Sequence, residues 1–183
     1  MPKKSSKLIW LTSMGQNMYE NLNPYWAYCE RFKNVPEQIA LLHAIEMNAE
    51  KDRTVRAFSI ISGQYCKNKQ INIAGISFDD EDVRGFSEKA EAVFKKASAE
   101  NMKLIVDVSL TTWSFVPIYL MKMTRNYHNI VKSLVYFQYS EHCLRSRPYP
   151  LIPRPSTTFH DLLAESGKKD RKEQVRCAKQ HSM

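Results

Sequence analysis

Lys103-Leu104-Ile105-Val106-Asp107-Val108-Ser109 runs directly into Leu110-Thr111-Thr112-Trp113-Ser114. The first part is an apolar, β-branched run of the kind that forms a strand buried on both faces. Its end turns to small hydroxyl residues, after which Trp113, Val116, Leu120, Met121 and Met123 fall largely on one helical face. A buried strand, a hydroxyl-rich turn and a helix make the phosphate-handling unit of doubly wound α/β sheets, because the first N–H groups of a helix lack intrahelical partners and attract an anion. Ser109, Thr111, Thr112 and Ser114 are equally suited to capping that helix, so no single one of them identifies a ligand site. Pro117 agrees with a helix start at Thr112 to Ser114. A first-turn proline removes an N–H that is orphaned anyway, whereas deeper in the helix it costs roughly 3 kcal/mol.

The pattern repeats outward from this stretch. Lys7 to Ser13 reads as a first strand, with Leu8-Ile9-Trp10-Leu11 as its buried run and Thr12-Ser13-Met14-Gly15 at its end, where Gly15 allows a backbone conformation other residues avoid. Met14 to Leu22 reads as a loop, and Asn23-Pro24 as the cap and first-turn proline of a helix to Lys33. Gln38 to His43 is a second strand and Ile71 to Phe78 a third, separated by helical spacing between Ala49 and Tyr65. Asp79-Asp80-Glu81-Asp82 opens an amphipathic helix that ends near Asn101, with Asp79 as its cap. The positive helix N-terminus accounts for these acids without a metal. Val131 to Ser140 is a fifth strand. Beyond it comes a Pro/Arg-rich segment from Arg145 to Pro155, then a short helix starting over Thr158 to Leu163 and a basic end. Strands alternating with helices imply an α/β fold: a doubly wound, mostly parallel sheet of five to six strands with helices on both faces. The sheet-forming unit covers residues 1–142; residues 143–183 form a connection and a basic C-terminal tail or helix.

With 183 residues, 43% of them hydrophobic, the chain can build one core. No apolar run approaches the ~18 residues of a membrane span, and Leu8 to Leu11 is too short for a signal peptide, so the reading is a cytoplasmic protein without membrane attachment. Cys29, Cys66, Cys143 and Cys177 are scattered rather than paired at metal-ligand spacing, which suits reduced thiols; no metal and no cofactor is expected. The net charge of +8 points to a polyanionic partner, but Lys3, Lys4 and Lys7 at one end and Lys168, Lys169, Arg171, Lys172, Arg176 and Lys179 at the other carry much of it.

In parallel sheets ligands sit above the carboxyl ends of the strands. There, Thr12, Ser13, Gln16, Asn17, Ser109, Thr111 and Thr112 can hydrogen-bond phosphate or ribose. Neither G-x-G-x-x-G nor G-x-x-x-x-G-K-[ST] is present, which argues against a dinucleotide site and a P-loop. No G-x-S-x-G surrounds Ser13, so a hydrolase built on Ser13 with His43 or His142 is a lesser alternative.

These segments carry a family resemblance. Leu8-Ile9-Trp10-Leu11-Thr12-Ser13-Met14-Gly15 resembles the first strand and S-x-G turn of CRISPR-associated Rossmann fold (CARF) domains, and Ile39-Ala40-Leu41-Leu42-His43 is similar to their second strand. Val106-Asp107-Val108-Ser109-Leu110-Thr111-Thr112-Trp113 falls where those domains carry D-[VIL]-[ST], a glycine-threonine turn and often a lysine. Here Leu110 and Thr111 replace the glycines, and Trp113 stands at the usual lysine position. The likeness spans roughly Lys7 to Tyr139. It implies a Rossmann-like homodimer that binds cyclic oligoadenylate, with tetra-adenylate the expected ring, in CRISPR type III antiviral defence. Some such domains are ring nucleases, which cleave the ring without metal through the RNA's own 2′-hydroxyl. On that resemblance Thr12, Ser13, Met14, Gly15, Gln16 and Asn17 bind the ligand from one side and Ser109, Leu110, Thr111, Thr112 and Trp113 from the other. Ser13 and Thr112 would orient the 2′-hydroxyl and scissile phosphate, and Trp113 would either stack on adenine or pack its helix. A non-catalytic sensor or adaptor that contacts nucleic acid or a partner through the basic tail is the competing reading.

Overall fold

The computed structural model describes residues 7–66, 71–109 and 113–165. A six-stranded sheet runs in the order β3-β2-β1-β4-β5-β6, formed by β1 (Leu8–Ser13), β2 (Gln38–Ala44), β3 (Asn72–Phe78), β4 (Lys103–Asp107), β5 (Val131–Tyr139) and β6 (Thr157–Asp161). The first five strands pair in parallel and β6 pairs antiparallel with β5. Helices α1 (Met18–Phe32) and α2 (Asn48–Tyr65) cover one face, and α3 (Val83–Ala99) and α4 (Phe115–Asn126) the other. This is the doubly wound α/β fold that the alternating pattern implied.

Both faces are buried, which is why β1, β2 and β4 lack polar alternation. Leu8, Trp10, Ile39, Leu41, Ile105 and Val135 meet Tyr25, Tyr28 and Phe58 on one side. Ile9, Leu11, Leu42, Leu104, Val106 and Leu134 meet Phe86, Phe94 and Leu120 on the other. Pro117 is the third residue of α4, within its first turn, as its sequence position required. Met121, by contrast, is exposed; Val116, Leu120, Met123 and Thr124 form the buried stripe of α4.

Four local readings change. Helix α1 starts at Met18 with Asn17 as its cap, so Met14 to Leu22 is not all loop and Asn23-Pro24 lies inside the helix. Asn23 is buried because it anchors the chain after β5: its Nδ2 donates to Tyr139 Oη at 3.0 Å and to the Arg147 carbonyl at 2.9 Å, and its Oδ1 accepts from Tyr149 N–H at 2.9 Å. Asp82, not Asp79, caps α3, accepting from Gly85 N–H at 2.8 Å. Gly15 does not adopt a positive φ; it is buried, with its N–H donating to Asn21 Oδ1 at 2.8 Å.

The fourth change extends the sheet. Of the stretch Thr158 to Leu163, expected to start a helix, residues 158–161 belong to β6, and helix begins after it over residues 162–165. The outer edge of β5 leaves a row of backbone groups open to pairing, and β6 satisfies them while placing Phe159 against Tyr28 and Phe32. The sheet therefore continues past residue 142, where the sequence pattern ended it.

Candidate functional site at the ends of β1 and β4

Strand order reverses between β1 and β4, the position at which ligands enter such sheets. Leu11 lies beside Val106 in the parallel register, which sets the next residues, Thr12 and Asp107, side by side. The Thr12 hydroxyl donates to Asp107 Oδ2 at 2.9 Å, joining residues 95 positions apart.

Asp107 is the hub of this seam. Besides Thr12 it accepts the Ser109 backbone N–H at 3.0 Å and the Ser109 hydroxyl. Ser109 Oγ in turn accepts from Phe137 N–H at 2.8 Å, so one chain of hydrogen bonds ties the ends of β1, β4 and β5 together. Asp107 is only 1% exposed. Burial pushes its carboxyl up to about 6, against the opposing pull of the Ser109 and Thr12 hydrogen bonds. Reading the strand end for hydroxyls passed over this residue, although it occupies the acidic position of the D-V-S stretch.

The candidate residues divide by what their polar groups already do. The Thr12 and Ser109 hydroxyls are committed to Asp107. Asn17 caps α1 by accepting from Tyr19 N–H at 2.9 Å. Thr12, Ser13, Met14 and Gly15 are buried, Asn17 is half-buried and Gln16 is exposed. The Ser13 hydroxyl and Asn21 Nδ2 are buried without a hydrogen-bond partner among the described residues. Trp113 is half-buried, edge-on to Phe78 at 5.7 Å between ring centres. Leu110, Thr111 and Thr112 lie outside the described residues. His43 is a buried core histidine whose Nδ1 lies 3.1 Å from the Ala44 carbonyl. Among the described residues no group of three or more His, Cys, Asp and Glu is placed to hold a metal ion, and no helix is long and apolar enough to cross a membrane.

Next to this seam is a cavity of about 430 Å³, of whose lining the strand ends read from the sequence supply Gln16 and Asn17 on one wall and His142 on the other. Gln16, Asn17 and Glu20 from the start of α1 face His142, Arg145 and Ser146 from the 3-10 segment His142–Ser146 after β5. Glu20 and Arg145 pair across it at 3.8 Å, and the Arg145 guanidinium lies over the Tyr139 ring at 5.9 Å.

No family model matches the chain, and no curated protein matches it. Among solved structures it is similar to Enterococcus italicus Csm6 bound to cyclic hexa-2′-fluoro-hexa-dAMP, with a TM-score of 0.60 at 10% sequence identity. The likeness covers 92% of this chain and 44% of that one, so the chain spans less than half the length of the structure it matches. At this identity the similarity establishes the fold.

Proposed function

We propose that the chain is a CARF-type module of CRISPR type III defence that binds cyclic oligoadenylate at the joined ends of β1 and β4, acting as a homodimer. The observation that carries this reading is the Thr12–Asp107–Ser109 seam, which holds the two polar segments of the CARF resemblance together at the switch point. The fold is shared with a structure whose bound ligand is a cyclic oligonucleotide, which supports the same reading. Thr12 and Ser109 then act by fixing the strand ends, and the ligand meets the backbone and side chains beyond them.

Cleavage of the ring is the second reading. It is favoured by the Ser13 hydroxyl, buried at 1% exposure yet unpartnered among the described residues, which is a costly arrangement unless the group is used. In that reading Ser13 and Thr112 orient the 2′-hydroxyl and the scissile phosphate, and the turn over Ser13 must open to admit them.

The test is incubation with cyclic tri-, tetra- and hexa-adenylate in the presence of a chelator, following binding by calorimetry and cleavage by chromatography. Saturable binding of one ring supports the module, with tetra-adenylate the expected ring. Absence of saturable binding for all three rejects it. Full cleavage by the Ser13→Ala/Thr112→Ala double variant would reject the roles assigned to those two residues.

A further inference from the structure

We propose that the cavity between the start of α1 and the His142–Ser146 segment is a base pocket, taking one adenine ring with Gln16 reading its edge and His142 stacking on its face. The expectation of adenine rests on the cyclic oligoadenylate reading, but the pocket can be tested without a cyclic ligand.

The chemistry of the two walls points to a neutral heterocycle. With the Thr12 and Ser109 hydroxyls occupied, a ligand at the strand ends must find its polar contacts elsewhere. The adjoining cavity, about 430 Å³, falls in the size range of small-ligand sites. Its one anion, Glu20, is paired with Arg145, so the pair adds no net charge and a phosphate entering here would meet a carboxylate. An uncharged ring with both donors and acceptors meets no such penalty.

The two free groups match adenine in particular. Gln16 and His142 are exposed, and neither side chain has a hydrogen-bond partner among the described residues. A glutamine amide offers one donor and one acceptor side by side, the complement of the N7 acceptor and N6 donor of adenine. An imidazole offers a flat face for stacking, as in single-stranded RNA recognition.

The far wall is also held in place. Asn23 ties Tyr139, Arg147 and Tyr149 to α1, and Ser146 Oγ donates to the Cys143 carbonyl at 2.9 Å. A wall fixed before the ligand arrives loses less order on binding.

Cys143, an exposed thiol on the same wall, provides the readout. The full chain is alkylated with iodoacetamide, and modification of Cys143 is followed by mass spectrometry with and without AMP, IMP and cyclic tetra-adenylate. AMP affinities are measured for wild type, Gln16→Ala and His142→Ala, with melting curves confirming that both variants fold.

AMP is expected to protect Cys143 and to bind more tightly than IMP, which lacks the N6 amine. His142→Ala should weaken AMP about tenfold, and Gln16→Ala should erase the preference for AMP over IMP. Unchanged Cys143 alkylation at saturating AMP, or folded variants that bind AMP like wild type, overturns the pocket. Ring binding without Cys143 protection overturns the pocket and leaves the function proposed above standing. AMP protection without ring binding keeps the pocket and removes that function. Binding of neither ligand removes both.

Discussion

Asp107 is a carboxylate that accepts three hydrogen bonds yet holds its proton more tightly than a free aspartate. At 1% exposure the loss of water outweighs what Thr12 and Ser109 supply. The consequence for stability has a definite sign. The carboxyl sits at about 6 in the folded chain against the ordinary 3.8 of an aspartate, so between those pH values the native state binds more protons than the unfolded one. Stability therefore falls as pH rises through that window and levels off above it, by a total on the order of 3 kcal/mol. Asp107→Asn should flatten this slope while lowering stability overall, because an amide brings donors of its own to a site already filled with donors. Urea unfolding at pH 4.5 and 7 measures both effects, and equal slopes in the two proteins would refute the argument. A second residue-scale prediction concerns Lys33, which ends α1 at φ 49°. Glycine adopts that conformation without a Cβ clash, so Lys33→Gly should raise the unfolding free energy by up to ~1 kcal/mol, less whatever is lost where the Lys33 amine lies over the Tyr65 ring.

At the scale of elements, the segment between β5 and β6 is a series of short 3-10 turns that one side chain of α1 ties to the body of the fold. Asn23 uses both its donors and its acceptor on Tyr139, Arg147 and Tyr149. Asn23→Ala should cost about 2–3 kcal/mol, since it strands buried polar groups as well as deleting bonds. It should also speed proteolysis between Leu144 and Ser156, which limited digestion followed by mass spectrometry would detect; an unchanged cleavage map would count against the anchor. The same side chain explains a misleading sequence pattern. Asn23-Pro24 has the form of a helix start, but Asn17 caps the helix and Asn23 is spent on the strap. The β6 pattern misleads for a related reason, as Thr157–Asp161 becomes strand because the β5 edge and the Tyr28–Phe32 surface are there to receive it.

For the whole molecule, charge is unevenly placed along the sequence: six of the cations lie at Lys168 to Lys179, against only Asp170 and Glu173. A chain ending at Ser166 should lose most of any sequence-independent, salt-sensitive affinity for RNA or DNA, while the proposed binding of cyclic oligoadenylate should match that of the full chain. Titrations of both ligands at two salt concentrations check this. Loss of cyclic-ligand binding on removal of the tail would favour an adaptor that works through its basic end.

What was legible in the linear chain was set by local rules. Apolar runs at Leu8–Leu11, Ile39–Leu42 and Leu104–Val106 had to be strands buried on both faces, and the helices between them had to cover those faces. Hydroxyl residues at the ends of β1 and β4 fall where the strand order reverses. Their partners were not legible, because the Thr12–Asp107 bond spans 95 positions and depends on which strands become neighbours. For the same reason a residue read as part of a strand became the hub, two hydroxyls read as ligand contacts are found donating to it, and the wall of the cavity past His142 came from a segment whose Pro/Arg-rich composition carries no periodicity. Periodicity records which face a residue buries; only the packed chain determines what it meets there.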